Sequence, residues 1–157
     1  MKVHIIDAPA VEGSLLYRVD EYSIDFKEVS RTVTELGIAS LLLNMLQIDV
    51  NVDNGHLMAP WGLLPHTRWI ASALPPLMSV TRCGLAVSEE PLTTGIAIGL
   101  GGSESWGTYF DGSSTTLEMR QDDEAVEQWV EFADGCVMGL RAGLPVRLRL
   151  MPKIVGM

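Results

Sequence analysis

Alternation of apolar and polar residues is the clearest signal in the first part of the chain. Ile48-Asp49-Val50-Asn51-Val52-Asp53 sets aliphatics on one face and Asp49, Asn51 and Asp53 on the other, the period of a half-buried strand. Asn54-Gly55 follows at once and suits the backbone of a tight hairpin, so a return strand is expected over residues 56–59, ending at Pro60. Residues 2–6 read as a short strand stopped by Asp7-Ala8-Pro9, and Tyr22, Ile24 and Phe26 alternate with Ser23 and Asp25 as another. Phe26, Val29, Val33 and Leu36 fall at helical spacing up to Gly37 and point to a helix. Val29, Arg31 and Val33 also alternate, so residues 27–36 stay open between helix and strand.

The segment from Pro60 to Pro76 carries Pro65, Pro75 and Pro76 and reads as a connection hugging the surface. Residues 78–120 predict an antiparallel meander with strands over 78–87, 94–100, 106–110 and 114–119. A second helix is expected next, capped by Asp122 or Asp123, with Glu124 in its first turn. Val126, Trp129, Val130, Ala133, Val137 and Leu140 would form its apolar face, ended by Gly143-Leu144-Pro145. Val146, Leu148 and Leu150 then alternate with Arg147 and Arg149 as a last strand before Pro152. The expected fold is α+β: one domain over residues 1–157, a mixed, mainly antiparallel sheet of about six to seven strands, and two helices packed on one face.

Composition narrows the function classes. The 157 residues are 47% hydrophobic with a mean hydropathy of +0.22, which excludes intrinsic disorder. The formal net charge is −9, and residues 1–134 hold all 20 acids with seven of the 11 bases. Such a body repels nucleic-acid phosphates and anionic lipid, so neither is an expected partner, whereas a basic protein is. The first residues lack the apolar run of a secretory signal, and no stretch is long enough for a membrane-spanning helix, so the cytoplasm is the expected location. Cys83 and Cys136 lie outside any zinc-type spacing and read as free thiols. No metal or cofactor is expected.

The motifs that carry chemistry fail on inspection. The run from Asp49 to Gly55 has Asn54 and Pro60 where a calcium loop needs glycine and a bidentate acid. Gly99-Leu100-Gly101-Gly102-Ser103-Glu104-Ser105 lacks both the lysine of a phosphate loop and the final glycine of a hydrolase elbow. An enzyme is therefore the less favoured class.

Two binding classes remain. In the first, Asp123, Glu124, Glu127, Glu131 and Asp134 on the expected helix, with Asp49, Asn51 and Asp53 on the strand face, dock a basic protein. In type, though in no matched segment, this resembles the bacterial immunity proteins and antitoxin-like inhibitors, which neutralise a toxin enzyme stoichiometrically. Exposed Trp61 or Trp106 would supply the anchor. In the second, His56, Trp61, His66, Arg68, Trp69 and Glu104 border a small-molecule pocket near residues 56–69. The positive hydropathy also leaves room for a homodimer.

Overall fold

The computed structural model describes residues 1–29, 37–88 and 91–156, and among these the chain is almost wholly sheet. In chain order the strands are β1 (Lys2–Ile6), β2 (Gly13–Arg18), β3 (Ser23–Glu28), β4 (Ile38–Leu43), β5 (Leu46–Asn51), β6 (Leu57–Leu63), β7 (Ile70–Ala71) and β8 (Thr81–Arg82). There follow β9 (Gly84–Ser88), β10 (Ala97–Gly99), β11 (Gly107–Asp111), β12 (Thr116–Arg120), β13 (Gln128–Ala133), β14 (Cys136–Arg141), β15 (Leu144–Leu150) and β16 (Lys153–Val155). One seven-stranded sheet, here the front sheet, runs β10-β4-β5-β6-β3-β2-β16, and a seven-stranded back sheet runs β7-β11-β12-β15-β14-β13-β8. β1 and β9 make a separate antiparallel ribbon.

The two large sheets share one core. In the back sheet Met119, Leu148, Met138 and Val130 stand in register across four strands, and none is exposed. Leu117, Leu150 and Cys136 form the next inward row. Tyr17, Ile24, Leu41, Leu43, Leu46, Ile48 and Val50 answer them from the front sheet. Every second residue of β4 and β5 thus leaves water, as the two-residue period demands. The sheets are stitched where Val11 exchanges backbone bonds with β13: its N–H donates to Phe132 and its carbonyl accepts from Asp134, each at 2.9 Å. The ribbon ties the sheets together elsewhere, through a bridge between His56 and Ala86 and a 2.9 Å bond from the Val3 N–H to the Gly143 carbonyl.

The α+β expectation is overturned. The helical segments among the described residues are two single 3-10 turns, His66–Arg68 and Ser103–Ser105. The expected helix from residue 122 is instead an irregular loop followed by the β13–β14 hairpin. Asp134-Gly135 makes the turn, with Gly135 at φ +75, a conformation glycine adopts without penalty. The 3–4 spacing arose because these two strands are apolar on both faces in places, so a helix period fitted by coincidence. Of the other expected helix, Phe26 to Glu28 belong to β3, and residues 30–36 lie outside the described residues. The strand total also exceeds the six or seven expected, and the described residues of 78–120 do not form the expected meander. β9 pairs with β1 and β10 runs parallel to β4, while β11–β12 is antiparallel as expected.

The Asn54-Gly55 hairpin forms between β5 and β6, but β6 runs on through Pro60 to Leu63. Within β6, β3 pairs with Gly62 and Leu63 and not with Pro60, so the missing N–H of Pro60 leaves no ladder bond from β3 unmade. No helix among the described residues is long and apolar enough to cross a membrane.

Candidate functional site

The outward faces of the two sheets differ. On the front sheet, β5 turns Gln47, Asp49 and Asn51 outward, and Trp61 of β6 stands opposite Gln47. The Trp61 ring is 43% exposed, and its indole N–H donates to Asp49 Oδ1 at 2.7 Å. That bond fixes the ring as one wall of an open hollow of about 360 Å³, floored by Ala59 and Pro60 and walled opposite by Asp25, Lys27 and Glu28. Three carboxylates and one ammonium therefore line it. Asp25 also holds Arg18 at 3.3 Å, both partly solvated. Leu63, 49% exposed, extends the apolar surface along β6.

The outward face of the back sheet is covered. Residues 72–80 leave β7 at one edge and enter β8 at the other. Six interstrand steps of about 4.8 Å separate those edges by roughly 29 Å, and nine extended residues reach about 30 Å. The strap is therefore nearly taut, which suits the extended backbone that Pro75-Pro76 imposes. It is fastened at two points. The Leu74 N–H donates to Asp111 Oδ2 at 2.9 Å, and Arg149, on the central strand, donates from Nη1 to the Pro75 carbonyl at 2.6 Å.

Beneath the strap lies a charged cluster. Tyr109, Glu118, Arg149, Val137, Glu131 and Arg82 form one row across six strands, and Arg120, Arg147, Gly139 and Trp129 form the row beside it. Glu118 is fully buried and meets three guanidiniums: Arg149 Nε at 2.5 Å, Arg120 Nη1 at 2.6 Å and Arg147 Nη1 at 3.5 Å. Arg120 also stacks on Tyr109, and Arg149 lies over Trp129. The Trp129 ring packs over Gly139, where an added Cβ would come within 3.0 Å of it.

The expected acidic surface divides. Glu131 and Asp134 both bind Arg82, at 3.0 and 2.6 Å. Asp134 also accepts from the Gly13 N–H, which, with Arg82, holds its carboxyl below the usual aspartate range. Both are occupied in tying β8 and β2 to β13. Asp123, Glu124 and Glu127 are exposed in the loop before β13, Asp123 lying 3.6 Å from Arg120. Asp49 belongs to the Trp61 hollow, Asn51 accepts from the Asp53 N–H, and Asp53 is exposed at the hairpin.

The residues of the second binding class are dispersed. His66 and Trp69 join Tyr17, Tyr22 and Phe110 in an aromatic cluster between the sheets, with Tyr22 stacked on His66 at 5.1 Å. There Tyr17 Oη donates to the Leu64 carbonyl at 2.8 Å and accepts from the His66 N–H at 2.9 Å. Arg68 borders a separate hollow of about 110 Å³ with Met45 and Trp106. His56 bridges to the ribbon, Glu104 lies in a 3-10 turn, and Trp61 faces outward on the front sheet. Trp106, offered as an exposed anchor, is 6% exposed and belongs to the core.

Sequence reasoning missed Glu118, Arg120, Arg147, Arg149 and Trp129 as a group. Alternation set Arg147 and Arg149 apart from the aliphatics of their strand, but Trp129 was assigned to the apolar face of the expected helix, and nothing local signals that a strap covers this face. Among the described residues no group of three His, Cys, Asp or Glu side chains stands close enough to hold a metal ion. No protein-family model matches the chain, and no curated protein matches it.

Proposed function

We propose that this protein is a binding module that docks a basic protein segment on the outward face of its front sheet. The observation that carries the reading is Trp61, a large aromatic surface held open to solvent by Asp49 and flanked by Asp25 and Glu28. A guanidinium or ammonium seated on the indole gains a cation–π contact and a carboxylate partner in the same step. Aromatic anchors of this kind dominate interface energies, whereas solvated charges mainly steer the encounter. Asp122, Asp123, Glu124 and Glu127 take that steering role, in keeping with the net charge of −9. Among binding modules, a stoichiometric inhibitor of a basic toxin enzyme, of the bacterial immunity type, fits that charge and size. The free thiols of Cys83 and Cys136 suit a reducing compartment, and we place the protein in the cytoplasm.

The test uses an arginine-rich peptide of fixed sequence, titrated calorimetrically against the wild-type chain and Trp61→Ala at two salt concentrations. Trp61→Ala leaves the charge untouched, so diffuse attraction survives it. An anchored site loses about thirtyfold in affinity, the scale of an aromatic hot spot. Equal affinities for the two chains would reject the site.

A further inference from the structure

The covered back sheet holds a second hollow. Between the strap and the loop before β13 opens a cleft of about 550 Å³, lined by Arg147, Arg149, Trp129, Ser79, Thr81 and Gln128, with Glu127 also on its wall. Both arginines project from the central strand, and the Arg149 side chain is only 5% exposed. The charges around them do not balance. Arg120, Arg147 and Arg149 share the single buried carboxylate of Glu118, and the next acid, Asp123 on Arg120, is 94% exposed. Arg147 is the least satisfied of the three. Its Nη1 reaches Glu118 only at 3.5 Å, its Nη2 donates to the Glu124 carbonyl at 3.0 Å, and its buried Nε has no acceptor. Burying uncompensated positive charge is costly, and an unmade bond to a buried donor adds to that cost.

We infer that this cleft binds a small organic oxyanion, its carboxylate or phosphate held by Arg147 and Arg149 and its apolar portion laid against Trp129. The guanidinium fork matches the geometry of either oxyanion. Ser79, Thr81 and Gln128 supply further donors at the wall, and Met78 and Leu77 of the strap add apolar surface. Glu127 opposes the anion from an exposed position, so it weakens binding in the native chain. The site lies on the other sheet from the Trp61 hollow and stands independently of the partner proposed there.

The probes are phenyl phosphate, benzoate and inorganic phosphate, titrated calorimetrically into the full chain, with tryptophan fluorescence as a second readout. Phenyl phosphate and benzoate are expected to bind and quench fluorescence, whichever is tighter identifying the headgroup, with inorganic phosphate weaker. Arg147→Met, which keeps the stem, should cost about tenfold to a hundredfold in affinity, the worth of a charge-assisted bond or two. Glu127→Gln, on an exposed loop where folding is not at risk, should tighten binding severalfold. Absence of binding by all three probes at about 10 mM, a fragment-level affinity, overturns the inference. So does affinity indifferent to both substitutions, and equal affinity for inorganic and phenyl phosphate overturns the organic part.

Discussion

The two outward faces read alike in sequence and behave differently in the fold. Ile48-Asp49-Val50-Asn51 and Leu148-Arg149-Leu150 both alternate apolar with polar. Yet Asp49 sits on an open face beside a solvent-exposed tryptophan, whereas the Arg149 side chain is 5% exposed beneath a strap. The difference comes from the connection between β7 and β8, which is long enough to cross the back sheet and is pinned above its central strand. A residue's strand parity says which face it joins. What covers that face is decided by another part of the chain.

The largest effect should come from cutting the back-sheet cluster. Glu118→Gln removes the one carboxylate shared by three arginines, and breaking a buried ion pair costs about 3–5 kcal/mol. Asp49→Asn, its counterpart on the open face, should cost under about 1 kcal/mol, as exposed polar contacts do. Urea denaturation of both variants checks the contrast, and similar losses would contradict it.

A smaller loss is expected from slackening the strap. Pro75→Gly with Pro76→Gly gives the unfolded chain more freedom and should cost about 1–2 kcal/mol, with faster hydrogen exchange at the Leu74 amide. Unchanged exchange there would mean that the prolines do not hold the strap.

Acid should loosen the same strap. The Leu74 N–H, with the Ser113 groups, holds the Asp111 carboxyl below its ordinary value of about 3.9. A carboxyl whose pKa falls on folding contributes stability that is present above the unfolded value and is lost as pH drops through the folded one. Leu74 exchange, corrected for its intrinsic pH dependence, should therefore rise below about pH 4. Asp111→Asn should remove that pH response. The smallest stability effect, within about 0.5 kcal/mol, is expected for Trp61→Ala on the open face, where thermal unfolding should barely move even though peptide affinity falls.

Much of the sheet was legible because strand period is local. Residues 2–6, β5 with its Asn54-Gly55 turn, β12 and the Arg147/Arg149 strand all fall on segments expected as strands, although the return strand β6 runs past Pro60. The helix expected after Asp122 failed for a specific reason. Asp134-Gly135 is a two-residue turn signal of the same kind as Asn54-Gly55, but the apolar residues Val130, Phe132, Ala133 and Val137 around it mimicked a helix face. The candidate site was legible in part. Asp49 and Trp61 were both singled out, but their meeting depends on the register that sets Gln47 opposite Trp61. Glu118 and Arg149 are 31 positions apart and meet only through the pairing of β12 with β15, which no local pattern encodes.

The measurement that bears most directly on the proposed docking face is an NMR titration of the labelled chain with the arginine-rich peptide. The Trp61 indole resonance and the amides of Asp25, Gln47 and Asp49 should shift together and saturate at one equivalent, with those of residues 122–127 shifting little. Shifts confined to the 122–127 loop, with the Trp61 resonance unmoved, would contradict the claim and leave the attraction as bare charge.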